Sequence, residues 1–333
     1  MRTSPARASA RSHAMVLALA AVCCIAPSLG AQGGVTTEGA PFLLIPVGAR
    51  ALGMGQAVVA EQNGAESVWW NPAGLARADQ REVAVHHYET FAGKGNAVSF
   101  LYPSSKLGVL AASIYILDYG DIGTADRGGG AGGSLLPRNL VYAATYSTTV
   151  GAHVNAGITF KLVQFRVDCS GDCTSVPAAG SNAATTAVDI GGQYDMSPVV
   201  PITFGVVVRH LGPRLQVNDR EQADPLPTRL EVGVAYRASS IDQYVKDAEL
   251  RLTGDLIDRL QFSSPSPRLG ASLTYQKRYH FRTGYVVDRA NASGASLGVG
   301  LTAGGLNLDL ARMFENTSGV GQAPVYVSLR YLF

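Results

Sequence analysis

The stretch VYVSLRYLF, Val325–Phe333, alternates without a break. Val325, Val327, Leu329, Tyr331 and Phe333 fall on one face; Tyr326, Ser328 and Arg330 fall on the other. A period of two is that of a β-strand, whose successive side chains point to opposite sides. The pattern recurs upstream. In Arg229–Tyr236, Leu230, Val232, Val234 and Tyr236 alternate with Arg229, Glu231, Gly233 and Ala235. In Leu269–Gln276, Leu269, Ala271, Leu273 and Tyr275 share a face, and in Val154–Leu162 the apolar set faces away from Asn155, Gly157, Thr159 and Lys161. Turn clusters separate these segments, which predicts fourteen strands, near 82–90, 96–102, 108–118, 138–148, 153–165, 184–197, 202–211, 228–237, 248–258, 267–276, 279–287, 294–303, 306–314 and 324–333. The first is the least regular, because His87 and Glu89 follow Val83 and Val85 on its face.

Connection lengths add an independent argument. Links after even-numbered strands are mostly short, as in Pro103–Leu107, Thr149–Ala152 and Gly304–Gly305. Those after odd-numbered strands are mostly longer, as in Tyr119–Pro137, Asp168–Asn182 and Gly212–Pro227. Short periplasmic turns, longer outer loops and an even strand count are the marks of an outer-membrane barrel. The alternation places both chain ends in the periplasm. Ala238–Asp247 departs from it, being long on the short side. In hydrocarbon every backbone polar group must be paired, so the last strand must close on the one starting near Glu82.

Composition agrees and excludes. Charged residues are 16% of the 333, below the roughly 25% of soluble domains. Lys+Arg 27 against Asp+Glu 25 leaves net charge +2, no footprint for nucleic acid. Composition alone suits a lipid-embedded and a soluble β-protein equally; the loop alternation separates them. Residues 1–30 read as a signal peptide: Arg2, Arg7 and Arg11, the apolar run Ala14–Ala26, then small residues near Gly30 and Ala31. Cys23 and Cys24 leave with it. Cys169 and Cys173, in DCSGDC, either close a small disulfide loop in an oxidising compartment or make half a zinc site, and export favours the disulfide.

Residues 31–80 lack the alternation and read as a plug inside a barrel spanning 81–333. Their centre, Gly48–Ala76, is rich in small residues. It holds a helix-competent run, Ala65–Trp70, stopped by Asn71-Pro72. Trp69 and Trp70 point to different sides of any helix. Asn71 can bond the backbone locally, Pro72 stops the helix, and Gly74 permits a left-handed exit. Trp70, Asn71, Pro72 and Gly74 are the candidate site residues of the plug, with folding the plug the simpler role for them. The fold class is therefore all-β: a fourteen-stranded antiparallel transmembrane barrel with a short N-terminal plug containing a small helix.

GARALGMG (Gly48–Gly55) followed by WNPAGLA (Trp70–Ala76) resembles the N-terminal motif of the PorV/PorQ family, within the FadL-like group of fourteen-stranded outer-membrane barrels. Asp189–Tyr194, Val208–Gly212 and Leu226–Gly233 add to the likeness; His210 stands where the family usually has asparagine. The resemblance implies one of two functions. PorV-like members serve type IX secretion, binding a translocon or passing cargo to a surface sortase. FadL-like members take up hydrophobic molecules through the barrel and its wall. The expectation is the first, with FadL-like transport of a hydrophobic ligand as the alternative.

No catalytic constellation is present, and neither cofactor nor metal is expected. There is no Gly-x-Ser-x-Gly elbow, and His86 and His87 fall on opposite faces of one strand. Asp189, Asp195, Arg209, Glu231, Arg251, Asp255, Arg282 and Asp309 fall on lumen-facing positions and read as a polar interior whose charges pair across strands. Asn291 and Asn316 head glycosylation sequons that bacterial outer membranes seldom use.

Overall fold

A computed structural model describes residues 38–333 apart from 63, 91–92, 126–130, 174–179, 197–199, 217–222, 239–240, 242–243, 288–292 and 316–323. The signal-peptide reading and both sequons lie outside the described residues.

The strands are β1 (Glu82–Thr90), β2 (Gly93–Ser104), β3 (Gly108–Asp118), β4 (Ile122–Ala125), β5 (Ala131–Val150), β6 (Val154–Ser170), β7 (Asn182–Asp195), β8 (Ile202–Leu211), β9 (Arg229–Ala238), β10 (Ala248–Asp258), β11 (Ser266–Tyr275), β12 (Tyr279–Val286), β13 (Gly294–Ala303), β14 (Leu306–Glu315) and β15 (Val325–Leu332). Each pairs antiparallel with its chain neighbours except that β3 and β4 both lie against β5. β4 therefore continues the line of β3, and the fifteen strands make a fourteen-stave barrel. The seam closes where Glu82 faces Leu332 and Glu89 faces Val325.

The alternation seen in the sequence is the alternation of environment. Along β15, Val325, Leu329 and Tyr331 are exposed, whereas Tyr326, Ser328 and Arg330 are buried. The outward residues form an apolar belt. At the short-turn end it finishes in tyrosines, among them Tyr102, Tyr146, Tyr194, Tyr236, Tyr275, Tyr279 and Tyr331. Such a girdle marks a membrane–water interface. β5 and β6 are the longest strands and carry the β4 hairpin at the long-loop end. There Cys169 and Cys173 are disulfide-bonded across four residues of sequence separation. So small a loop constrains the unfolded chain little, so the double Cys→Ser variant should lose at most about 2 kcal/mol. Its melting midpoint should barely move, and thiol labelling of unreduced protein should fail at both sites.

The described residues from 38 to 75 lie inside the barrel and are mostly buried, before Arg77, Asp79 and Gln80 emerge exposed from it. They contain 3-10 turns at Pro41–Leu44, Gly64–Trp69 and Pro72–Leu75, and one short α-helix, α1, at Ala49–Gly53. The helix thus falls in the glycine-rich GARALG run, and the Ala65–Trp70 run expected to be helical takes the tighter 3-10 form. Gly64 sits at φ +64°, and its Cα packs on the Glu82 carboxylate, which favours a compact turn over an α-helical entry.

The segment crosses the barrel end to end. Glu38 is held at the long-loop end by Arg229 (2.7 Å) and Arg259 (2.9 Å). Burial alone would raise the Glu38 pKa, but these guanidinium groups bring it below its ordinary value. At the short-turn end Arg77 reaches the Ala152 carbonyl and Asp195, and Arg81 pairs with Phe333. Phe333 therefore lies at the expected end, but residue 38 lies at the opposite one. The loop alternation orients the strands only; it carries no information about a segment that threads the lumen.

Candidate functional site

A chain with so little regular structure cannot satisfy its own backbone, and buried N–H and C=O groups left unpaired are costly. The barrel supplies the partners. The Ala49 N–H donates to Ser328 Oγ at 2.8 Å, and the Gly55 N–H to Ser296 Oγ at 3.0 Å. The Val59 N–H donates to Asp255 Oδ2 at 2.9 Å. Gln193 Nε2 donates to the carbonyls of Val59 and Glu61 at 3.0 and 2.9 Å. Polar residues on the inner faces of β7, β10, β13 and β15 thus serve the plug.

The four residues singled out in the plug are brought together, each with a packing role. Trp70 Nε1 donates to the Val47 carbonyl at 2.9 Å. Asn71 caps the following turn by accepting the Ala73 N–H at 3.1 Å, and its Nδ2 donates to the Val59 carbonyl at 2.7 Å. Pro72 opens that turn, and its backbone rests on Gly157 of β6. Gly74 differs from expectation. It lies inside the turn Pro72–Leu75, without the left-handed conformation read for it. Glycine is needed there because a Cβ would meet the Glu61 carbonyl and the Ser67 side chain.

Beside Trp69 and Trp70 the wall carries an ionic cluster. Register jumps between Val188↔Leu211 and Ile190↔Val208, so Arg209 and His210 together oppose Asp189. This is a β-bulge, with His210 at φ 59°. The extra residue lets two consecutive side chains face the lumen, and both Arg209 and His210 are buried. Asp189 accepts the His210 backbone N–H at 2.8 Å and pairs with Lys161 Nζ at 2.5 Å. Arg209 pairs with Glu231, donates to the Trp69 carbonyl at 3.1 Å and lies 5.3 Å from the centroid of the Trp70 ring. Sequence reading placed Asp189, Arg209 and Glu231 on the lumen side. It did not see His210, because a strict period of two turns that residue outward and nothing local signals a bulge.

Between this cluster and the residues Phe42–Val47 is a cavity of about 20 Å³, walled also by Trp69, Trp70 and Tyr115. That is room for about one water molecule. Phe42 stacks on Tyr115, and Tyr88 stacks on Tyr326 and hydrogen-bonds Tyr115 at 2.5 Å. Toward the long-loop end the lumen is therefore aromatic on the side of β1, β3 and β15 and ionic on the side of β6–β9, where Arg209 stands across the strands from Arg229. Toward the short-turn end it is charged: Glu61 accepts from Arg50 and Arg251, both at 3.2 Å, and Asp309 accepts from Arg282 at 2.6 Å. Among the described residues no group of His, Cys, Asp and Glu is placed to hold a metal ion.

Glu66 joins two plug segments by accepting the Ala51 N–H at 2.9 Å. Burial pushes its carboxyl up to about 7; Arg330, the Ala51 amide and Arg50 offset only part of that. Between the ordinary 4.5 and about 7 the folded state holds a proton that the unfolded chain has released. The contribution of Glu66 to stability therefore falls as pH rises through that window. The urea midpoint of the parent, followed by tryptophan fluorescence, should fall relative to that of Glu66→Gln as pH rises through the window, and a difference between the two that stays constant with pH would refute it.

Residues 29–253 match the family model described as type IX secretion system protein PorV. The chain belongs to the PorV family. Comparison with curated protein sequences gives no match. Among solved structures, the PorV-family chain is similar to the Pseudomonas putida toluene transporter TodX (TM-score 0.58, 11% identity, 85% of this chain and 96% of that one). It is also similar to the CymD monoaromatic hydrocarbon channel (TM-score 0.58, 14% identity, 87% and 97%) and to a Pseudomonas aeruginosa FadL homologue (TM-score 0.51, 12% identity, 86% and 98%). At such identities the likeness is one of fold, a FadL-like barrel; membership of the PorV family together with the apolar belt places the chain in the bacterial outer membrane. The family and these neighbours are described as secretion, transport and channel proteins, none as an enzyme.

Proposed function

We propose that this PorV-family barrel is a non-enzymatic component of type IX secretion, acting as a partner in the export or surface attachment of other proteins. The match over residues 29–253 carries the reading. The filled lumen supports it. The cavity of about 20 Å³ beside the plug has no room for cargo or a lipid chain, and on this reading the partner meets the loops or the outer wall. On this reading Trp70, Asn71, Pro72 and Gly74 keep the lumen shut, Cys169–Cys173 braces an outer hairpin, and the partner is a translocon or a surface sortase.

One observation favours the second reading, FadL-like uptake of a hydrophobic molecule. The long-loop half of the lumen is lined by Tyr88, Tyr115, Val141, Met313 and Tyr326 around Phe42, an apolar space that would open if residues 41–47 moved. Affinity purification in mild detergent with mass spectrometry separates the two. Recovery of a large translocon barrel or a sortase supports secretion. A lone barrel carrying an apolar small molecule overturns it in favour of uptake.

A further inference from the structure

The apolar belt is not of even height. Strands rise about 3.3 Å per residue and barrel strands tilt by about 40°, so each outward level of two residues spans about 5 Å of depth. β13 presents four apolar levels, Leu301, Val299, Leu297 and Ala295. β1 presents two, Val83 and Val85, before His87 and Glu89. Its partner β2 presents three, Tyr102, Phe100 and Val98, before Asn96 and Lys94.

The polar residues of this hairpin face outward and pair with one another. His87 Nδ1 lies 2.8 Å from Asn96 Oδ1, and Lys94 Nζ lies 3.1 Å from Glu89 Oε1, with the two side chains 61% and 60% exposed. Beside the His87–Asn96 pair the neighbours are apolar, Val327 next to His87 and Ile116 next to Asn96. At the Glu89–Lys94 level Val325 lies beside Glu89, but Asp118, itself paired with Arg138, lies beside Lys94. The β1–β2 face is thus a polar notch in the belt, one level deep at His87–Asn96, on the half nearer the long loops, next to a Glu89–Lys94 level that joins a charged rim with Asp118 and Arg138. A polar pair set among outward apolar residues, as His87–Asn96 is, is unfavourable in hydrocarbon, so something polar must meet it. Its hydrogen bonds are already made within the hairpin, so hydration of the exposed faces is enough and no matching protein groups are required.

We propose that the β1–β2 face is a lipid-contact site at which the polar headgroups of the outer leaflet, with their water, descend against the barrel wall and thin the membrane beside the seam. The proposal is independent of the secretion reading. Single thiols at Asn96→Cys and Leu310→Cys test it, Leu310 being an outward residue on β14 paired through Val327 to His87. Cys169 and Cys173 are disulfide-bonded and give no background. Each variant is checked for folding by heat-modifiable gel migration, with His87→Cys in place of Asn96→Cys should the latter not assemble. Both are treated with a membrane-impermeant maleimide, in phosphatidylcholine bilayers and on intact cells. The expected result is labelling at residue 96 in both settings and its loss at residue 310 in both. Protection of residue 96 in pure bilayers would mean the patch sits in hydrocarbon and overturns the proposal. Labelling in bilayers with protection on cells would mean that a protein covers the face, and overturns it equally.

Discussion

Asp189→Ala is expected to cost roughly 3–5 kcal/mol, because it leaves a buried ammonium without its counter-ion. Lys161 is 1% exposed and Asp189 0%. The same carboxylate accepts the His210 backbone N–H, so the substitution also orphans the amide that shapes the bulge. Asp189→Asn keeps an acceptor of the same shape and should cost less. Replacing both partners, Lys161→Met with Asp189→Leu, should recover much of the loss, since a buried ion pair is often matched by an apolar pair of similar volume. The measurement is convenient. The chain has two tryptophans, Trp69 and Trp70, both in the lumen segment beside this cluster. Their fluorescence during urea unfolding therefore reports seating of the plug, while heat-modifiable gel migration reports the barrel. An Asp189→Ala midpoint indistinguishable from the parent's would show that the cluster contributes nothing to holding the plug.

The second large effect is expected at a glycine. A Cβ on Gly284 of β12 would run into the backbone of Met54 and Gly55. Backbone atoms cannot rotate away as a side chain does, and Gly55 is itself held by Ser296. Overpacking ordinarily costs about 1–3 kcal/mol, and Gly284→Val should reach or pass the upper end of that range. The expected phenotype is a closed barrel whose plug is displaced, read as red-shifted tryptophan emission with unchanged heat-modifiability. Gly254→Ala is the control. It also lies mid-strand, but its new methyl would meet the Leu269 side chain at 3.6 Å, an ordinary contact. Equal behaviour of the two variants would refute the view that wall glycines are there to admit the plug.

The same close approach recurs at Gly157, Gly191, Gly205, Gly270 and Gly298, each with a plug atom where a Cβ would stand. The high glycine content, 38 residues, is thereby partly explained. In the sequence each of those glycines stands once in its strand, on the lumen-facing register, and looks like a weak strand former. Only the plug lying against them gives each a reason.

What the sequence determined by itself was the barrel. Period two, strand length and loop alternation are local properties, and a sheet buried in lipid must close, so the fourteen staves, their facing and the β1–β15 seam follow. The lumen side of Asp189, Arg209, Glu231, Asp255, Arg282 and Asp309 was legible for the same reason. β4 at Ile122–Ala125 and the extensions of β5 from Ala131 and of β6 to Ser170, in segments read as loops, were not, because beyond the belt no apolar alternation marks a strand. What the sequence could not determine were features set by contacts distant in the chain. The α1 helix at Ala49–Gly53, the 3-10 form of Gly64–Trp69, the packing role of Gly74 and the end-to-end path from Glu38 to Arg81 depend on which lumen side chain meets which backbone group. His210 was missed because a bulge is a mismatch between two strands, and neither strand alone records it. A strand is specified by its own alternation, whereas an irregular segment takes the conformation in which its surroundings complete its hydrogen bonds, and only the tertiary structure supplies those surroundings.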